Sequence, residues 1–165
     1  MSKILVVNLD NCTGCQACIL ACSMAKEGVF DPTRSRVWIS RDETRCMAVP
    51  ALCERCEELH CVDACPEDAI SKDQTLGIMI VDSETCTSCE SCVDACPWGG
   101  IRLHPDSNIA MICDLCSGKP ACAEICIPMK AIQYLDVDPS TTAEEREYAK
   151  KRADYLDTIA KVEVV

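Results

Sequence analysis

Seventeen of the chain's 165 residues are cysteine, and sixteen of them fall into four runs. The first is Cys12, Cys15, Cys18 and Cys22, spaced C-x2-C-x2-C-x3-C. The second is Cys53, Cys56, Cys61 and Cys65, spaced C-x2-C-x4-C-x3-C-P. Cys86, Cys89, Cys92 and Cys96 follow as C-x2-C-x2-C-x3-C-P, then Cys113, Cys116, Cys122 and Cys126 as C-x2-C-x5-C-x3-C. Cys46 stands alone. A cubane iron–sulfur cluster needs four thiolates around one cube-shaped core. A tight C-x2-C-x2-C loop wraps three corners of that core and turns its backbone N–H groups inward.

The fourth cysteine of each run, three residues further along a helical turn, points away from its own loop. In bacterial two-cluster ferredoxins it ligates the other cluster and is followed by Pro. Four such runs supply sixteen thiolates, the complement of four [4Fe–4S] clusters. Zinc is the ordinary explanation of a single C-x2-C pair, but a zinc site has no use for the distant fourth cysteine and its Pro. Disulfides are the other bland reading. The N-terminal stretch Met-Ser-Lys-Ile-Leu-Val-Val-Asn-Leu-Asp has no long apolar segment, cleavage site or twin arginine, which points to the cytoplasm. Disulfides seldom persist there.

The elements that must position these cysteines also repeat. Val7-Asn8-Leu9-Asp10-Asn11 before Cys12 resembles Val81-Asp82-Ser83-Glu84-Thr85 before Cys86. Cys65-Pro66-Glu67-Asp68-Ala69-Ile70 parallels Cys96-Pro97-Trp98-Gly99-Gly100-Ile101, and Pro128-Met129-Lys130-Ala131-Ile132 is a third, shifted copy. The unit is strand, cysteine loop, short helix, Cys-Pro turn, strand. Val37-Trp38-Ile39 reads as a further strand. Residues 140–161 lack Cys, Gly and Pro, carry capping-box spacing at Thr142 and Glu145, and place Ala149, Ala153, Leu156 and Ala160 on one face. They read as one helix, with 162–165 as a strand or arm.

Composition agrees. There are 16 Lys plus Arg against 27 Asp plus Glu, a formal charge of −11, which disfavours nucleic acid as a partner. No apolar run reaches the roughly 20 residues of a membrane span. Only 6 residues are aromatic (2 Trp, 3 Tyr, 1 Phe) and large apolar side chains are few, so clusters must help to fill the interior. All-cysteine cubanes transfer single electrons and keep no open site for substrate. With two histidines, six glycines, no phosphate-binding loop and no nucleophile motif, the chain reads as a carrier without a catalytic site.

The chain resembles the polyferredoxin electron-transfer subunits that accompany molybdenum and tungsten oxidoreductases. The resemblance spans about residues 3–135. It is carried by the first cysteine run with Ser23, by Glu27-Gly28, Asp31-Pro32 and Ser35-Arg36-Val37, by His60-Cys61-x3-Cys65-Pro66, and by Cys113-Asp114-Leu115-Cys116. The short x5 gap before Cys122 looks most like the small subunits of tungsten aldehyde oxidoreductase-type complexes. Benzoyl-CoA reductase, carbon-monoxide dehydrogenase and formate dehydrogenase subunits are alternatives, as is a free-standing polyferredoxin.

The resemblance implies an α+β fold of two bacterial-ferredoxin-like (dicluster) halves with a C-terminal helical extension. Residues 1–138 form the four-cluster body, with an inner half of about 50–104 and an outer half of about 3–30 with 108–136, and 139–165 form the helix and tail. It also implies the ligand sets. Cys12, Cys15 and Cys18 take Cys126, and Cys113, Cys116 and Cys122 take Cys22. Cys53, Cys56 and Cys61 take Cys96, and Cys86, Cys89 and Cys92 take Cys65. Spacing alone leaves the sequential pairing of runs one and two open. Two departures fall in the outer half: Ser23 replaces the Pro after Cys22, and Pro128 comes one place late after Cys126. The implied partners are a tungsten- or molybdenum-pterin catalytic subunit and a flavin subunit or ferredoxin.

Several residues carry bland readings beside the sharp ones. Cys46 reads as a buried structural thiol. His60 either tunes a cluster or simply packs, and Trp38 and Trp98 read as packed. Arg34, Arg36, Arg41, Arg45 and Arg55 dock a partner or pair with Asp42, Glu43 and Glu54. The C-terminal helix lies back on the body, docks a catalytic subunit or self-associates. Four oxidised cubanes at roughly −2 each add about −8 to the formal −11, so partners are expected to present basic surfaces.

Overall fold

The computed structural model describes residues 3–42, 46–136 and, further on, 143, 146–148, 150, 151 and 154. The cysteine unit occurs four times. Strand β1 (Lys3–Val7) leads into run one and helix α1 (Ala17–Glu27), followed by β2 (Trp38–Asp42). Strand β3 (Met47–Ala51) leads into run two, α2 (His60–Asp63) and β4 (Ile70–Lys72). Strand β5 (Met79–Val81), α3 (Ser91–Asp94) and β6 (Ile101–Leu103) carry run three. Strand β7 (Ala110–Ile112), α4 (Ala121–Ile125) and β8 (Ile132–Asp136) carry run four.

The strands form four antiparallel pairs: β1 with β8, β2 with β3, β4 with β5 and β6 with β7. The β1–β8 pair joins residues far apart in sequence, with Lys3 opposite Asp136 and Val7 opposite Ile132. It thereby brings run one, just after β1, beside run four, just before β8. Helices α1 and α4 pack on one another and reinforce this closure. Strands β6 and β7 pair antiparallel across the turn between them, with Ile101 opposite Ile112.

Two of the short helices end ahead of a Cys-Pro pair. Pro66 and Pro97 bar helix continuation beyond Cys65 and Cys96, and α2 and α3 are one turn long. Ser23 imposes no such stop, so α1 runs through Cys22 to Glu27, longer than the short helix the repeat predicts. Gly28 ends it at φ 71°, a left-handed cap whose N–H donates to the Met24 carbonyl.

The apolar interior divides in two. One cluster gathers Leu5, Val7, Ile19, Val37, Trp38 and Val49 with Cys18, Cys22, Cys113 and Cys122. The other gathers Ile70, Met79, Ile101, Ala110 and Ile112 with Cys92. Cysteines are members of both, as a core filled partly by clusters requires. Among the described residues, no helix is long and apolar enough to cross a membrane.

The described residues of the C-terminal segment are helical and lie against the chain's own body. Asn8 Nδ2 donates to the Tyr148 hydroxyl at 3.0 Å, and Lys151 pairs with Asp10 at 3.4 Å and with Glu147 one turn back. The expected apolar face at Ala149, Ala153, Leu156 and Ala160, and the tail at 162–165, lie outside the described residues.

Candidate metal centres

Three hollows each gather four cysteines from two runs. Cys12, Cys15, Cys18 and Cys126 line one, with Ile39, Pro128 and Met129 among its walls. Cys53, Cys56, Cys61 and Cys96 line a second, with Trp98 and Met79. Cys65, Cys86, Cys89 and Cys92 line a third, beside Glu67 and Glu90. The other four cysteines of the runs converge as well: Cys22, Cys113 and Cys122 meet in one apolar cluster, and burial, then the charges of Cys113, Cys22 and Cys116, push the Cys122 thiol well up. No disulfide is formed by any of the seventeen cysteines.

Electrostatics among the thiols traces the same sets. Burial, followed by the charges of Cys12, Cys126 and Cys15, pushes the Cys18 thiol up to about 12. Burial raises Cys53 to about 12, with Cys113, Cys61 and Cys96 adding to it. Cys92 rises to about 11 through burial and the charges of Cys65, Cys86 and Cys89. Cys113 also rises to about 11, through burial and then Cys22, Asp114 and Cys116. Two of these couplings run between sets. Cys122 feels Cys18, and Cys53 feels Cys113. The first apolar cluster holds cysteines of the Cys12 and Cys22 sets together with Cys53, and the second joins the Cys53 set to the Cys65 set.

The cysteine loops use backbone conformations that aim N–H groups at sulfur. Gly14, Arg55, Ser88 and Leu115, each near the start of its loop, have left-handed φ of 67°, 53°, 59° and 55°. Runs of amides in such conformations make anion-binding concavities. The backbone N–H groups of Gly14, Arg55 and Leu115 donate to Cys12, Cys53 and Cys113.

Each fourth cysteine also accepts a backbone N–H. Ala69 donates to Cys65 at 3.3 Å and Gly100 to Cys96 at 3.2 Å, each just after a left-handed residue, Asp68 or Gly99. In the shifted copy, left-handed Lys130 precedes the turn in which Ile132 donates to Cys126 at 3.4 Å. Cys22 has no such turn and takes its bond from Arg36, fourteen residues on, at 3.3 Å.

The motif between Cys22 and Val37 builds that substitute. Buried Ser23 donates to the Leu20 carbonyl and accepts the Asp31 N–H at 3.2 Å. The Asp31 carboxylate caps the Pro32–Arg34 turn, and Arg36 pairs with Glu27 at 3.3 Å. Ser23 thus holds the returning loop that a Pro would have made unnecessary. The donor set is all thiolate, convergent and ringed by N–H groups, which fits [4Fe–4S] clusters.

Several single-residue expectations are corrected. Cys46 is exposed, with φ 53°, because it stands in the connection between β2 and β3 and joins neither apolar cluster. Arg34 pairs with Asp31 and Asp106, Arg36 with Glu27, and Arg41 donates to the Gly14 carbonyl, while Glu43 and Arg45 lie outside the described residues. Trp38 is buried under the Arg102 guanidinium, 4.2 Å from the ring centre. Trp98 is more than packing: its side chain hydrogen-bonds Cys56. His60 lines the same hollow and faces Glu58 at 3.5 Å.

Residues 44–136 match the 4Fe-4S dicluster domain model, and residues 9–25 match a second 4Fe-4S binding domain model. The polyferredoxin-like subunit of an aliphatic sulfonate oxidoreductase from Pyrococcus furiosus is 38% identical over 122 residues, 74% of this chain and 70% of that one. The thiosulfate reductase electron transfer subunit PhsB of Salmonella typhi is 33% identical, over 83% of this chain and 77% of its own. A solved structure, the active site complex BamBC of benzoyl coenzyme A reductase with benzoyl-CoA, shares 26% identity over 96% of each chain at a TM-score of 0.48, too low to bear on the fold. The chain belongs to the polyferredoxin-like 4Fe–4S electron-transfer subunits, the non-catalytic redox members of oxidoreductase complexes.

Proposed function

We propose that the chain holds four [4Fe–4S] clusters and relays single electrons between a tungsten- or molybdenum-pterin catalytic subunit and a flavin subunit, ferredoxin or other redox partner. The ligand sets are Cys12, Cys15, Cys18 with Cys126; Cys22 with Cys113, Cys116, Cys122; Cys53, Cys56, Cys61 with Cys96; and Cys65 with Cys86, Cys89, Cys92. The observation that carries this reading is the convergence of thiols from runs one and four, and from runs two and three, in these groups of four. It favours this pairing over the sequential one. When bound, a [4Fe–4S] cluster supplies reversible one-electron storage. The chain's residues hold the sets beside one another, bury Cys18, Cys22, Cys92, Cys113 and Cys122, and direct backbone N–H groups at the sulfurs.

The catalytic partner we favour is a tungsten-pterin enzyme of the aldehyde oxidoreductase type. The short gap before Cys122 supports it, and the Pyrococcus furiosus relative serves an oxidoreductase. Purification of the tagged chain from its native cells tests this. A co-purifying subunit containing tungsten or molybdenum is expected. A chain that elutes alone, or a partner with neither metal, overturns it.

A further inference from the structure

The cluster site of Cys53, Cys56, Cys61 and Cys96 is provided with side-chain donors as well as backbone amides. The Trp98 side chain hydrogen-bonds Cys56 and lines the hollow that these four thiols share. Arg55 stands in the loop between Cys53 and Cys56 at φ 53°, and its backbone N–H donates to Cys53. Its guanidinium Nε is buried with no hydrogen-bond partner. A buried donor of this kind costs stability unless an acceptor reaches it, and the thiols of Cys53 and Cys56 stand on either side of Arg55 in this loop. Lys72 adds a third group: its ammonium reaches the Cys56 carbonyl at 3.4 Å. By contrast, Lys26 and Arg36, close to the Cys22 set, are each engaged by a carboxylate, Asp114 and Glu27.

These groups have a directional effect on electron transfer. Taking up one electron adds one negative charge to the cluster and its thiolates. N–H donors and cations facing the sulfurs stabilise the more negative, reduced state more than the oxidised one, so the potential rises. Cys53 packs in both apolar clusters, so its set adjoins the Cys113 set in one and the Cys65 set in the other.

We infer that Trp98 and Arg55 are positioning residues that raise the reduction potential of the cluster held by Cys53, Cys56, Cys61 and Cys96, making it an electron-holding site that adjoins two others. The inference rests on the four-cluster reading. Trp98 acts through Cys56, and Arg55 through its charge and its buried N–H.

The test is a redox titration of the complete, cluster-loaded chain followed by electron paramagnetic resonance. It compares the parent protein with Trp98→Phe, which keeps the ring and removes the N–H, and with Arg55→Gln, which removes the charge. Each variant is expected to lower the midpoint of one cluster out of four and leave the other three in place, with the iron content unchanged. Arg55→Lys, which restores the charge, is expected to recover part of the shift. Four unchanged midpoints at full iron content overturn the inference, as does loss of the cluster in both variants, which would make the two residues structural. A parent chain without cubane signals would instead overturn the underlying reading.

Discussion

Gly100 shows how closely one residue can constrain a cluster site. A Cβ built there would stand 2.8 Å from the Leu52 carbonyl oxygen and 2.9 Å from the Cys53 backbone. These are backbone atoms of the loop that opens run two, and they cannot swing aside as a side chain would. Gly100 also donates its N–H to Cys96. Gly100→Ala is expected to cost about 1–3 kcal/mol by overpacking and to loosen Cys53 and Cys96 together. Iron analysis of this variant should fall by about a quarter, one cubane in four; a full iron complement with an unchanged denaturation midpoint would contradict this. The thiols supply a second residue-scale prediction. Burial raises the pKa of Cys18 and Cys53 from 9.0 to about 12. A raised thiol stabilises the unloaded fold at pH below 9, and that contribution is lost as the pH climbs toward 12. The unloaded chain should therefore lose stability across this window, whereas the loaded chain, with iron in place of the protons, should not share the loss. Denaturation midpoints from pH 8 to 11 measure both. The thiols that converge in groups of four stand out in the sequence by their spacing. The Gly100 contact does not, because it depends on which loop the turn meets in space.

At the scale of the element, the loop from Ser23 to Val37 explains the departure after Cys22. Where a Pro ends the helix, the next turn returns an amide to the cysteine within four residues, as at Cys65 and Cys96. Where Ser23 stands, the helix runs on and the amide comes from Arg36. The sequence pattern marked this segment as distinctive, but the role of Ser23 becomes visible only once the loop folds back over it. Ser23→Ala leaves the Asp31 N–H unpaired in a buried place and should destabilise the chain by about 1–2 kcal/mol. Its selective signature is faster oxidative loss of the cluster that Cys22 ligates, followed by electron paramagnetic resonance during air exposure. Equal decay of all four signals would refute the loop's assigned part. The repeated strand, loop, helix and turn were readable from the flanking residues. The strand partners were not: β1 pairs with β8 across nearly the whole chain, a closure no local pattern encodes.

For the whole molecule, charge and packing are the defining properties. The formal charge of −11 becomes about −19 with four oxidised clusters bound, and reduction makes it more negative. Partners that meet it through basic surfaces associate faster at low salt. Electron transfer to an added basic acceptor such as a cationic cytochrome should therefore slow steeply between low and physiological ionic strength; a rate independent of salt would argue against charge steering. That the Cys53 set adjoins both the Cys22 set and the Cys65 set comes from packing between runs and could not be read from spacing. The thin apolar core has the same origin, since the interior is divided among cysteine-bearing sites. All of this depends on four cubanes per chain, and that number is directly measurable. Anaerobically purified protein, assayed for iron, acid-labile sulfide and zinc against protein concentration, should contain about sixteen iron and about sixteen sulfide per chain and no stoichiometric zinc. About eight iron per chain, or zinc in place of iron and sulfide, would contradict the account.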